Sequence, residues 1–231
     1  QMCIRDSVSP EGIEVIVGGL LNRVFGVQTI EFKEGVKTVE GYFAPYTTAR
    51  TVTFPSTIEE IGYGAFSGNR SATVYIFNGV SVPAIDCPLP TFGNGSDPGR
   101  TQVRFSVPVD AYADWYRELF IHGLSGRLTT LDNTLPVSNF RFVNTDGDNL
   151  SNIQGAAVDT EPVPVCATAN KYFAGWWSKD GSADGDWGER AIFPITGVDG
   201  ESITVYARWA DAETKDGRSL HTAYEVDFND W

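Results

Sequence analysis

The side chains whose type and spacing could support catalysis are two histidines, three cysteines and a few neighbouring carboxylates. A nucleophile–base mechanism needs a serine or cysteine within reach of a histidine. His122 stands beside Gly123-Leu124-Ser125-Gly126, but Arg127 occupies the position where a G-x-S-x-G elbow ends in glycine. His221 lies in a polar tail and reads as a solvated histidine. Glycoside hydrolysis needs two facing carboxyl groups; Glu59-Glu60 and the pair Asp184/Asp186 are the candidates. Glu59-Glu60 fall in a short turn and Asp180 to Asp186 form a Gly-bearing loop, where solvated carboxylates are the expected outcome. Asp146-Gly147-Asp148-Asn149 has part of a calcium loop but lacks the remaining ligand spacing and the distant Glu. It reads as a hairpin turn. Cys3, Cys87 and Cys166 are odd in number and scattered, with no C-x-x-C, which argues against a disulfide framework and a metal site alike. No catalytic residue, metal ligand or cofactor is expected, and the chain reads as a non-enzyme.

The elements that would position such residues come from a repeat. Thr29-Ile30-Glu31-Phe32-Lys33-Glu34-Gly35-Val36-Lys37-Thr38-Val39 is followed by Thr51-Val52-Thr53-Phe54-Pro55-Ser56-Thr57-Ile58-Glu59-Glu60-Ile61. Ile30, Phe32, Val36 and Val39 thus return as Val52, Phe54, Ile58 and Ile61. A short unit that cannot bury its apolar face alone must stack on the next, so a period of this length points to a solenoid. The alternation predicts strands with Ile30 and Phe32 inward and Thr29 and Glu31 outward. The second apolar pair of each copy, three residues apart, suits a helical or 3₁₀-like turn. Aligned at the same period, Thr73-Val74-Tyr75-Ile76 is a third strand, and Gln102-Val103-Arg104-Phe105 a fourth after the Pro- and Gly-rich stretch 83–100. Tyr112, Trp115, Tyr116, Leu119 and Phe120 form one apolar helical stripe, predicting a covering helix over about 109–121.

Val52 to Phe66, VTFPSTIEEIGYGAF, resembles the BspA-type leucine-rich repeat, although the first copy lacks the I-G-x-x-A-F ending and carries Val39-Glu40-Gly41-Tyr42-Phe43 instead. The resemblance implies a mainly β fold with short helices, a leucine-rich-repeat solenoid closed by a C-terminal capping helix. After the polar join at 129–138 the pattern changes. Phe140-Arg141-Phe142-Val143, Tyr172-Phe173-Ala174-Gly175-Trp176-Trp177 and Thr204-Val205-Tyr206-Ala207-Arg208-Trp209 together resemble the Listeria–Bacteroides repeat, which implies a small β-grasp-like module. Phe173, Trp176, Tyr206 and Trp209 would supply its core, since a module this small builds little aliphatic interior.

The organisation expected is therefore an adaptor-like, non-native segment at 1–7, the repeat domain at 8–132, the second module at 137–210, and a linker or further module at 211–231. A net charge of −13 over 231 residues argues against nucleic acid as partner. No apolar run approaches the length of a membrane span; the nearest, Ile13 to Val27, is broken by Gly18-Gly19, Asn22 and Arg23. Both resemblances imply a binding or adhesion fragment of a bacterial secreted or cell-surface protein, facing a protein or glycan ligand on a host or neighbouring cell. An accessory arm of a secreted enzyme and a purely structural stalk are the alternatives. The outward strand ladder Glu31, Thr53, Tyr75 and Arg104 is the candidate ligand surface.

Overall fold

The computed structural model describes residues 6–220 except 23, 25, 70, 71, 94–101, 212, 216 and 217. His221, Cys3 and the strand-like tail at 224–231 lie outside the described residues. The chain divides into two compact units, Gln1–Pro136 and Val137–Trp231.

In the first unit each repeat supplies two strands rather than a strand and a helical turn. β1 (Asp6–Val8) and β2 (Val15–Ile16) open it, followed by β3 (Thr29–Glu31), β4 (Thr38–Val39), β5 (Thr51–Phe54), β6 (Glu60–Ile61), β7 (Val74–Phe77) and β8 (Ala84–Ile85). After a short helix α1 (Pro88–Phe92) come β9 (Arg104–Val107), α2 (Tyr112–Phe120) and β10 (Leu128–Thr130). Odd strands and β10 form a six-stranded parallel sheet in the order β1-β3-β5-β7-β9-β10, and the even strands β2-β4-β6-β8 form a four-stranded parallel sheet. Asp6 and Ser7, set aside by the sequence reading with the adaptor-like segment, belong to β1 and pair with Thr29 and Ile30.

Aromatic side chains fill the space between these sheets. Phe32, Phe54 and Phe77 stack in a column, at 5.3 Å and 4.6 Å between successive ring centres. Trp115 of α2 lies 4.3 Å from Phe77, and Tyr112 and Leu119 of the same stripe are buried with it. A second column, Phe43, Phe66 and Phe92, is spaced 5.8 Å and 6.2 Å. Threonines tie one repeat to the next: Thr57 Oγ1 accepts from Gly35 N and donates to Val36 O, and Thr73 Oγ1 donates to Ala49 O. Segments 42–46 and 64–68 complete each repeat, with Tyr42, Ala44 and Tyr46 donating to Tyr63, Ala65 and Ser67 carbonyls.

The second unit is built on β11 (Ser138–Asn144), β12 (Ile153–Gly155), β13 (Ala157–Val158), β14 (Lys171–Trp177), β15 (Ile195–Thr196) and β16 (Ser202–Asp211), with a hairpin of β17 (Glu213–Lys215) and β18 (Arg218–Leu220) beyond. β12-β11-β16-β14 is a mixed sheet in which β11 and β16 run parallel, and β13 pairs with β15 separately. Phe140, Phe142, Trp176, Val205 and Ala207 form its core.

The expected fold is corrected on both counts. In place of a leucine-rich-repeat solenoid with helical turns, the first unit holds two parallel sheets of six and four strands with few helices. The pairs Val36/Val39 and Ile58/Ile61 fail as helical turns because Val39 and Ile61 sit in paired strands, with only Val36 and Ile58 in the preceding bends. In place of a β-grasp-like module, the second unit has a four-stranded mixed sheet, and no helix packs on it among the described residues. Its core is covered instead by loop side chains such as Leu150 and Phe193.

Candidate functional site

The outward side of the six-stranded sheet is set by pairing register. Thr29 pairs with Thr51 and Glu31 with Thr53, an offset of 22 residues. From β5 to β7 the offset becomes 23, so Thr51 meets Val74, Val52 meets Tyr75 and Phe54 meets Phe77. Because side chains alternate, a one-residue slip exchanges the two faces of a strand. Tyr75 therefore points inward, fully buried, packed on Phe92 at 4.7 Å and Phe66 at 5.4 Å. Burial drives its phenol pKa far above the usual range despite the side-chain hydrogen bond with Asn69. The proposed ladder Glu31, Thr53, Tyr75, Arg104 is corrected accordingly: Tyr75 is core, and the other three fall in two rows.

One row runs Asp6, Thr29, Thr51, Val74 and Arg104; the other runs Val8, Glu31, Thr53, Ile76, Ser106 and Thr129. Most of these side chains are exposed or half-exposed. The face is acidic at one end, where Thr29 Oγ1 donates to Asp6 Oδ1 at 2.5 Å and Lys33 Nζ holds Glu31 Oε1 at 2.6 Å. At the other end it is basic. Arg104 immediately precedes Phe105 and Arg127 precedes Leu128, and Phe105 pairs with Leu128, which brings the two arginines to the same rung. Both line a hollow of about 320 Å³ shared with Gly126, Leu128, Thr129 and Asn133. Arg127 was missed as a site residue because it falls in a short 3₁₀ turn, Ser125–Arg127, with no periodicity of its own. The phenylalanine column carried the signal for the slip: aligning Phe32, Phe54 and Phe77 gives the observed register.

Among the described residues, those considered for catalysis are not brought together. His122 Nε2 meets Glu118 Oε1 at 3.9 Å, one turn back, while Ser125 belongs to the 3₁₀ turn. Glu60 lies in β6 beside exposed Glu59, in a strand rather than the short turn expected. Asp184 and Asp186 close successive turns, accepting from Asp186 N and Gly188 N, and Lys179 Nζ binds Asp186 Oδ2 at 2.6 Å.

The Asp146 turn has its carboxylate committed. Thr168 Oγ1 donates to Oδ1 at 2.7 Å and Cys166 Sγ to Oδ2 at 3.3 Å, and Lys171 Nζ is 3.8 Å away. The Thr168 hydrogen bond leads in holding its pKa below the ordinary carboxylate value. Asn144, buried next to it, satisfies both ends of its amide: Nδ2 donates to Val165 O and Asp148 O, and Oδ1 accepts from Trp209 Nε1 and Asp146 N. Among the described residues no group of three or more His, Cys, Asp or Glu side chains could hold a metal ion. No described helix is long and apolar enough to cross a membrane.

In the second unit Trp176, Phe173 and Trp209 pack inward, with Phe173 5.4 Å from Trp176 and 5.5 Å from Trp209. Tyr206 does not join them. It pairs with Val143 and Trp177 on the opposite face, between buried Val205 and Ala207. There the Arg208 guanidinium lies 5.1 Å from the Trp177 ring and 5.7 Å from the Trp187 ring. In comparison with known proteins, the chain matches no family model, no curated protein and no solved structure.

Proposed function

We propose that this chain is a non-catalytic binding module of a bacterial secreted or cell-surface protein, engaging a protein or glycan ligand on a host or neighbouring cell through the outward face of the six-stranded sheet. The observation that carries the reading is that face itself. Parallel sheets are ordinarily covered on both sides, yet here Thr29, Glu31 and Arg104 are exposed and Thr51 and Thr53 half-exposed. Its acidic end at Asp6 and Glu31 and its basic end at Arg104 and Arg127 give a ligand one preferred orientation along the strands, since charge complementarity fixes register more than it adds affinity. The resemblance of Val52 to Phe66 to BspA-type repeats supports the placement outside the cell, and among the described residues the separation of His122 from the candidate carboxylates and Ser125 supports a role without catalysis.

Immobilised extracellular-matrix proteins and a glycan array, probed with the intact chain and with the triple variant Glu31→Ala, Thr53→Ala, Arg104→Ala, test the reading. The triple variant should melt as the parent does and lose at least about tenfold in affinity for whatever the parent binds. Undiminished binding by the triple variant would remove the strand face as the ligand surface.

A further inference from the structure

Tyr42, Tyr46 and Tyr63 are 54%, 51% and 42% exposed, and they are the exposed aromatic side chains among the described residues. They share one edge of the first unit, away from the strand face. Tyr42 and Tyr46 have φ of 54° and 60°, in the left-handed region that a bulky residue rarely enters. One repeat later, Gly64 and Gly68 hold the same conformation, at φ 66° and 68°. There a glycine adopts it freely.

The rings explain the pairing of tyrosine with glycine. A Cβ on Gly64 would fall 2.9 Å from Tyr42 Cε1, and one on Gly68 would fall 2.5 Å from Tyr46 Cε1. Each tyrosine ring rests close against bare backbone of the following repeat, while about half of the side chain stays exposed. Tyr63 then meets Tyr42 edge-on, with ring centres 5.7 Å apart at 67°. Unusual backbone held in place by its surroundings concentrates at binding sites. Aromatic rings held rigid in this way give contact area at little entropic cost.

We propose that this edge is a binding site for an uncharged saccharide. Tyr42 and Tyr46, with Asn22, Pro45 and Ser67, frame a hollow of about 430 Å³, within the range of small-ligand sites. The C–H faces of a sugar ring stack on tyrosine rings, whose π faces are electron-rich. The Asn22 amide and the Ser67 hydroxyl supply polar partners for ring hydroxyls at the margin. No charged side chain belongs to the described lining, although the chain carries a net charge of −13. The described lining of tyrosine, proline and neutral polar side chains suits a neutral sugar. The site uses no residue of the strand face, so each stands or falls without the other.

Calorimetric titration of the intact chain with neutral hexasaccharides of glucose, mannose, galactose and N-acetylglucosamine, with heparin as the charged comparison, tests this. At least one neutral hexasaccharide should bind, and Tyr42→Gly and Tyr46→Gly should each weaken it about tenfold or more. These glycine variants relieve the left-handed backbone and so keep the fold, which melting confirms. Tyr42→Trp should retain binding, and Arg104→Ala should leave it unchanged. Binding to heparin alone, affinity indifferent to both glycine variants, or no neutral hexasaccharide bound at about 10 mM, would overturn the proposal.

Discussion

Tyr75 and Arg104 look equivalent in the sequence and are opposites in the structure. Truncating Tyr75 empties a space between Phe54, Phe66, Phe92 and Phe105. Large-to-small changes of an aromatic core residue cost roughly 3–5 kcal/mol. Tyr75→Ala should therefore show that loss in chemical denaturation, whereas Arg104→Ala, on an exposed side chain, should stay within about 0.5 kcal/mol of the parent. Equal effects from the two would contradict the register described above. The turn at Asp132 gives a second residue-scale outcome. Its carboxylate accepts from Thr134 Oγ1 at 2.7 Å, Thr130 Oγ1 at 2.7 Å and Thr134 N at 3.1 Å. These bonds, Thr134's side chain foremost, lower its pKa from 3.8 to about 2. A depressed folded-state value means stability that is present above the unfolded value and is lost as pH falls through the folded one. The parent should melt higher than Asp132→Asn above about pH 4, and thermal scans should show that advantage closing as pH approaches about 2. A gap that persists undiminished into that range would show that the carboxylate's charge is not what the turn uses.

At the scale of elements, glycines set how closely successive repeats approach. A Cβ on Gly62 would lie 2.5 Å from Gly41 N, one on Gly41 2.7 Å from Tyr63 O, and one on Gly18 2.4 Å from Gly41 O. Every obstacle is backbone, so relief requires moving whole repeats apart. Gly62→Ala should cost about 1–3 kcal/mol or more, the usual range for overpacking. Gly126→Ala, where nothing lies within 4 Å, should be close to neutral. Urea titrations of the two variants compare them directly. The close approach at Gly62 was legible in the motif Ile61-Gly62-Tyr63-Gly64-Ala65-Phe66, and so were the strands, because alternation survives in Thr51-Val52-Thr53-Phe54. The second sheet was not legible. Strands of two residues, such as Thr38–Val39, are too short to show a period of 2, and an apolar pair three apart fits a helical turn equally well. The change of offset at β7 was hidden because Val74, Tyr75 and Ile76 are all apolar enough to face inward. Only the phenylalanine column distinguishes the alignments. In the second unit Tyr206 was misassigned because aromatic type was read without strand parity.

For the whole molecule, composition could not locate a site, since the exposed tyrosines carry no signal in the sequence and acquire meaning from backbone conformation. The interval between paired strands has a consequence for how the first unit yields to force. Successive strands from β3 through β5 to β7 pair at offsets of 22 and 23 residues, so peeling one of these repeats releases little more than that length of chain. At about 3.3–3.6 Å per extended residue, each release lengthens the tether by roughly 70–85 Å. Pulled from its two ends in an optical trap, Gln1–Pro136 should give way as a staircase of such steps rather than one rupture, since in both parallel sheets each strand pairs only with the strands next to it in the order. A single large extension would mean that the aromatic columns bind the repeats into one mechanical unit. On the neighbour-by-neighbour picture, a strand-face ligand spanning β3 to β9 would act as a splint, merging several steps into one and raising the load at which the first occurs.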